Sequence, residues 1–344
     1  MEKNNRTRRV CLVPKVSGVG GMVSFKARLI KGFSERGISV AEDLADDPYE
    51  AVLVIGGTRN LTGIWKARRR GLPVVQRLDG MNWIHRKTHT GWKHYLRAEY
   101  GNLVLSVIRS RLASQIVYQS EFSLQWWERM YGKTQTPYRV VHNGVDLQQF
   151  TPQGPGERPV EQIRLLLVEG TIGGGYEFGL QTAIEVGKKL CALDSRLVEV
   201  LVVGRISVKL QQAWKNEPGM QVSYLGQVPI ESIAQIDRSA HVLYAADLQP
   251  ACPNSVIEAL ACGLPVAGFD TGALAEIVGR GAGEVVPYGG DPWKLEQPDT
   301  DRLAGSVFRI LMEQESYRIA ARRRAEEAFG LDCMVDGYLE ALGV

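Results

Sequence analysis

The sequence predicts an α/β protein of two domains, each a mainly parallel sheet built from β/α repeats. Three observations carry this. Short apolar runs of strand length alternate with stretches of helical period along the whole chain. The length of 344 residues, 44% hydrophobic and 23% charged, provides material for two ordinary cores. Residues 151–159 hold three prolines and two glycines, the composition of a linker. The expected division is therefore a domain at 1–150, a second at 151–330, and a closing segment at 331–344.

In the first half, residues 9–16 read as a strand, Ser17-Gly18-Val19-Gly20-Gly21 as a tight turn and 22–36 as a helix stopped by Gly37. Such a turn lets backbone approach a ligand at a helix start. One reading is a dinucleotide fingerprint with Glu42 or Asp43 as the ribose acid, although the third glycine is replaced by Val23. A strand at 51–55, a helix at 61–70 with a basic end, and a strand at 73–78 follow. That strand ends at Asp79-Gly80, and strand C-termini line the ligand crevice of open sheets. Asp79 is thus a candidate site residue; an Asx-turn cap is the competing role. Residues 81–94 contain Trp83, His85, Arg86, Lys87, His89, Trp92 and His94. A zinc site would need a third ligand with a clear role. A basic, aromatic loop meeting an anionic acceptor or lipid headgroup fits better. Residues 92–112 form an amphipathic helix. Its apolar positions 92, 95, 96, 100, 103, 104, 107, 108 and 112 are expected in the core, with Lys93, Arg97, Arg109 and Arg111 outside that stripe. A membrane-surface helix is the alternative. A strand at 116–119 and a helix from Ser120 to about Gly132 follow, with Trp126 and Trp127 as packing residues.

In the second half, residues 163–168 are a buried strand. Glu169 to Glu177 includes three consecutive glycines, 173–175, whose N–H groups could form an anion nest. Arg205 follows a strand at 200–203, with Lys209 just beyond. A strand at 222–226 ends at Gly226, ahead of Gln227-Val228-Pro229. After a strand at 241–245 comes the stretch ACPNSVIEALACGLPVAGFDTGALAEIV, 251–278. Asn254 and Ser255 read as N-caps of a short helix, 265–269 as a strand, and a second helix ends near Val278. A polar loop feeding a helix N-terminus suits a phosphate. Glu258, one turn in, is placed to accept hydrogen bonds from a ribose diol, or simply to complement the helix dipole. Residues 301–329 read as one helix.

Composition narrows the classes. Five scattered cysteines without a CxxC read as reduced thiols in the cytosol, with no metal site. No run approaches a membrane span. Residues 1–150 carry 24 Lys and Arg against 12 Asp and Glu, whereas 151–344 carry 17 against 26. The first half is therefore expected to meet an anionic partner. No nucleic-acid module is present, so nucleic acid is not expected.

The wording of two motifs adds a resemblance. EALACGLPV at 258–266 followed by TGALAEIV at 271–278, with NGVD at 143–146, resembles the family 4 retaining glycosyltransferases. That resemblance implies the GT-B fold, two Rossmann-like domains facing across a cleft with the C-terminal segment returning to the first. It implies transfer of a sugar from a nucleotide-diphosphate sugar to an acceptor hydroxyl, with retention and without metal or cofactor, as in cell-envelope polysaccharide synthesis. The acceptor would be a glycan, a small molecule or an anionic, lipid-linked compound, and the place of action the cytoplasm, including the inner face of the membrane by peripheral contact. By the same resemblance Glu258 binds the donor ribose, and the loop 252–255, with Asn254 and Ser255, lies against the diphosphate and sugar. Gly226 and Val228 lie against the base, Gly20 and Gly21 touch the donor phosphate or acceptor, and Asp79 is the candidate catalytic group. Two departures stand out. Pro250 occupies the place of a family Glu, and the family's Arg and Lys after the 163–168 strand are missing, so Arg205 and Lys209 are assigned that charge. A nucleotide-sugar binder with weak turnover, a nucleotide-sugar epimerase and a dehydrogenase remain as alternatives.

Overall fold

The computed structural model describes residues 8–18, 20–88, 91–173, 177–214 and 217–344. Val19, His89 and Gly174–Gly175 of the sequence expectations lie outside them. The chain divides into two compact units, one from Met1–Arg86, Gly91–Gly144 and Leu331–Val344, the other from Lys87–Thr90 and Val145–Gly330.

The first unit is a six-stranded parallel sheet. Its strands are β1 (Arg9–Val13), β2 (Ser39–Ala41), β3 (Ala51–Val54), β4 (Val74–Leu78), β5 (Gln115–Tyr118) and β6 (Tyr138–Val140), in the order β2-β1-β3-β4-β5-β6. The inner strands are buried on both faces with almost no alternation because helices cover both sides, and β4 even buries Gln76 and Arg77. Val10 and Leu12 point to a core with Phe25, Leu29 and Phe33 of α1 (Gly21–Glu35) and Val335 and Tyr338 of α12 (Leu331–Leu342). Cys11 and Val13 point the other way, toward Ile64 of α2 (Leu61–Arg69) and Val104 of α3 (Trp92–Val107). The chain end is held by Phe25 against Tyr338, ring centroids 5.2 Å apart, and by Arg36, whose Nη2 lies 2.8 Å from both Asp332 and Asp336. Helix α4 (Glu121–Tyr131) starts at Ser120, whose Oγ accepts the Ser123 N–H, and buries Trp126 and Trp127.

Two expectations fail at α3. The helix ends at Val107 and continues as a π turn, Ile108–Leu112. The apolar stripe is also divided: Val104, Ile108 and Leu112 are buried, while Trp92, Tyr95, Leu96, Tyr100 and Leu103 are exposed. The buried face instead runs through Ala98, Asn102, Leu105 and Arg109, again at helical spacing. Arg109, expected outside the core, donates from Nε to Tyr118 Oη at 2.8 Å and from Nη2 to Gly132 O at 2.9 Å. Polar residues with partners from other elements took the inward face.

The second unit repeats the plan with β7 (Gln162–Ile172), β8 (Leu197–Ile206), β9 (Met220–Gly226), β10 (Val242–Ala245), β11 (Val266–Phe269) and β12 (Gly283–Val286), parallel in the order β12-β11-β10-β7-β8-β9. On one face, Leu165, Val200, Tyr244 and Phe269 pack with α5 (Phe178–Leu193) and α10 (Thr300–Met312). Strand β7 is longer than expected, running through Glu169 to Ile172 with a register shift between Val168 and Thr171. Gly204 of β8 permits this: a Cβ there would lie 1.9 Å from Glu169 O. The helix expected at 301–329 is two helices, α10 and α11 (Gln314–Ala328), because Glu313 leaves helical geometry at φ −117°. Residues 151–159 lie within this unit. Arg238 donates to Pro155 O at 2.7 Å and Thr151 O at 2.9 Å. No helix among the described residues is long and apolar enough to cross a membrane.

Candidate functional site

The site is built where β10 and β11 of the second unit end. Helix α8 (Asn254–Ala261) begins there, with Pro253 at the N-cap position, φ −72° and ψ 119°. Asn254 and Ser255 are thus the first two helical residues rather than caps. The proline ring fixes φ, and its extended ψ ends the preceding loop without a side-chain cap. The first helical bond is Ile257 N–H to Pro253 O at 3.3 Å, so the amides of 254–256 precede the ladder. Such amides, with the dipole of an eight-residue helix, are the kind of helix start that suits an anion.

The loop leading in is locked from behind. Gln249 takes φ 61°, is buried, and accepts the Gly272 N–H on Oε1 at 3.0 Å. Pro250 O accepts the Ala273 N–H at 2.8 Å. Gly272 has φ 60°, and a Cβ there would fall 2.5 Å from Pro250 Cδ. Pro250 therefore serves as a packing surface for the β11–α9 turn, α9 being Leu274–Val278. Gln249 carried no signal of its own in the sequence; the turn at Thr271-Gly272 that it braces did.

Glu258 is 5% exposed. It is not the open carboxylate that its place one turn into the helix suggested. Its charge reaches Asp237 on α7 (Ile230–Arg238), whose carboxyl is pushed well above the usual range, by burial first and by Glu258 next. Burial also pushes up the Cys262 thiol in the same cluster. Packing of α8 against α7, invisible from local spacing, encloses this part of the helix.

The remaining candidates are spread along the sheet edge. Arg205 lies near the end of β8, exposed, with Nη2 donating to Gln227 Oε1 at 3.1 Å. That bond ties it to the Gly226–Val228 loop. Lys209 is exposed on α6 (Val208–Ala213). Gly226 ends β9 at φ 69°, and Val228 is half-buried before Pro229. Opposite in sign, Glu169 of β7 and Asp247, two residues after β10, line one small cavity of about 30 Å³ with Thr171 and Gly179. That is room for one or two waters. Burial raises the Glu169 carboxyl above its ordinary range, and the Asp247 charge raises it further. Sequence reasoning noted the missing cations here but not that carboxylates converge in their place.

In the first unit, Gly20 is the N-cap of α1 at φ 145° and Gly21 its first residue. Gly20 O accepts the Val23 and Ser24 N–H groups. A Cβ at Gly20 would meet nothing within 4 Å, so open space lies over this turn. Asp79 follows β4. Its backbone O accepts from Trp127 Nε1 at 2.8 Å and Ser123 Oγ at 3.1 Å, and its carboxylate lies 3.4 Å from Arg77 Nη1. The carboxylate is 39% exposed, held in place yet reachable. Among the described residues no group of three His, Cys, Asp or Glu could hold a metal ion.

Comparison with known proteins identifies a domain and a fold. Residues 165–311 match the family model described as glycosyl transferases group 1. The D-inositol 3-phosphate glycosyltransferase of Geodermatophilus obscurus is 27% identical over 228 residues, 61% of this chain and 48% of the relative. The chain thus matches about half the length of that relative. D-inositol 3-phosphate glycosyltransferase 1 of Catenulispora acidiphila is 24% identical over 318 residues, covering 86% and 72% of the two chains. Among solved structures, Anabaena HepE in complex with UDP superposes with a TM-score of 0.71 at 14% identity, covering 98% and 99%. WaaG, a glycosyltransferase involved in lipopolysaccharide biosynthesis, gives 0.70 at 14%, covering 97% and 99%. Sucrose-phosphate synthase of Thermosynechococcus elongatus gives 0.70 at 15%, covering 97% and 98%. The two parallel six-stranded sheets have the GT-B fold of these structures, and the chain carries a domain of glycosyl transferases group 1.

Proposed function

We propose that the chain transfers a glycosyl group from a nucleotide-diphosphate sugar to an acceptor hydroxyl, with retention and without metal. The observation that carries this is the family match over 165–311, which contains the locked loop and the start of α8. In this reading the amides of 254–256 receive the diphosphate as its charge grows on leaving. Arg205 and Lys209 add positive charge, Gly226 and Val228 border the base, and Glu258 meets the ribose. Asp79 is the catalytic group, and Gly20 and Gly21 border the donor phosphate or the acceptor. The acceptor is anionic or lipid-linked, supported by the excess of cations in residues 1–150, and the place of action is the cytoplasm, including the inner face of the membrane. HepE, solved with UDP-glucose, supports a nucleotide-sugar donor.

A second reading is a nucleotide-sugar binder with weak turnover. It is favoured by Pro250 and the Gly173–Gly175 run, which bring no polar side chain where the resembled family has them. Calorimetry against UDP and GDP, followed by a donor screen with mass spectrometry of products, tests both. Binding with a glycosylated product supports transfer. Binding without product or donor hydrolysis supports the second reading, and no binding of either nucleotide refutes both.

A further inference from the structure

We propose that α3 is an interfacial helix that seats the first unit on an anionic lipid surface. The helix has two opposed faces. The inner one is fixed by Asn102, whose Oδ1 accepts the Asn82 N–H at 3.1 Å and whose Nδ2 donates to Asn82 O at 2.8 Å, and by buried Ala98 and Leu105. The outer one carries Trp92, Tyr95, Leu96, Tyr100 and Leu103 at 69, 44, 58, 54 and 56% exposure. At 100° per residue Trp92, Leu96 and Leu103 form one ridge, with the two tyrosines beside it. Five of the eight large hydrophobic side chains exposed in this unit's described residues are on this single helix. Scattered exposure is ordinary; a contiguous ridge marks an interaction surface.

Charge selects the occupant. Lys93 and Arg97 are exposed beside the ridge, with Lys93 Nζ 5.6 Å from the Trp92 ring centroid. Glu99 is the one carboxylate on the helix. It is neutralised by Arg86, with Nε at 2.5 Å and Nη2 at 2.7 Å, and by His85 Nε2 at 2.8 Å. Basic residues flanking Trp, Tyr and Leu are the composition of a helix lying in a headgroup layer, with its apolar side chains at the acyl boundary. A second copy of this chain fits less well. A two-fold contact over this ridge would gather Lys93 and Arg97 of both copies around one apolar patch, with the helix's one carboxylate, Glu99, already engaged by Arg86. The inference stands apart from the donor reading, because the test contains no nucleotide.

The full chain is mixed with vesicles of phosphatidylcholine alone, or of equal parts phosphatidylcholine and phosphatidylglycerol, and sedimented. The protein partitions to the anionic vesicles, and raised salt weakens this. The double variant Leu96→Glu/Leu103→Glu lowers partitioning about tenfold or more on either lipid, with unchanged circular dichroism and melting. Lys93→Glu/Arg97→Glu removes the anionic preference. Wild type that stays in the supernatant overturns the proposal, as does equal sedimentation of wild type and the Leu96/Leu103 variant. Light scattering that shows a dimer dissolved by that variant assigns the ridge to a second copy and overturns it too.

Discussion

Gly272→Ala reports on how the loop before α8 is held. Gly272 sits at φ 60°, where an L-residue costs about 1–2 kcal/mol. The added Cβ would lie 2.5 Å from Pro250 Cδ and N and 2.6 Å from Gln249 C. These are ring and backbone atoms with no rotamer to escape into. Ordinary contact requires Gln249 and Pro250 to retreat by about an ångström. That movement stretches the Gly272 N–H to Gln249 Oε1 and Ala273 N–H to Pro250 O bonds. Overpacking of this kind costs about 1–3 kcal/mol. The sum is about 2–5 kcal/mol, a large part of a domain's stability. Gly281→Ala is the control: φ is 79°, yet its nearest neighbour, Ala320 Cβ, is 3.8 Å away. It bears the backbone cost alone, about 1–2 kcal/mol. In urea unfolding followed by far-ultraviolet circular dichroism, Gly272→Ala should lower the midpoint by about 1 M or more, and Gly281→Ala by less than half as much. Equal shifts would refute the contact argument, leaving backbone conformation as the whole effect.

Three further outcomes follow from the site and its surroundings. Glu258→Gln should weaken UDP and GDP binding about tenfold if the carboxylate meets the ribose, as a charge-assisted hydrogen bond requires; a loss of melting temperature with unchanged affinity would make Glu258 a structural partner of Asp237. Arg205→Ala should weaken donor binding several-fold at unchanged melting temperature, because the side chain is exposed and its bond to Gln227 lies at the surface; unaltered affinity removes it from the donor site. Burial, and next the Arg158 charge, lower the His241 pKa to about 4, and its Nδ1 accepts the Arg164 N–H at 3.0 Å. The unfolded chain takes up this proton first, so stability should fall as pH drops from about 6.5 to about 4, by about 3 kcal/mol in all. A His241→Asn variant should flatten that limb of the urea midpoint against pH, and an unchanged slope would exclude His241 as its source.

The alternation of apolar runs with helical periods, and the turn glycines between them, made both β/α halves legible before any coordinates, because these are local backbone preferences. The 258–278 wording marked α8 and its loop for the same reason: capping, turn and strand patterns are short-range. Burial is another matter, since it depends on what arrives from elsewhere in the chain. The α3 period fitted two faces, and only the partners Asn82, Tyr118 and Gly132 decided that Asn102 and Arg109 go inward and Leu96 and Leu103 outward. Glu258 looked open from its place on the helix until α7 brought Asp237 beside it. The carboxylates of Glu169 and Asp247 are 78 positions apart and share a cavity because β7 and β10 are neighbours in the sheet. Periodicity shows which faces a segment has; the enclosing elements, chosen by long-range packing, determine which face is covered and which charges must live together.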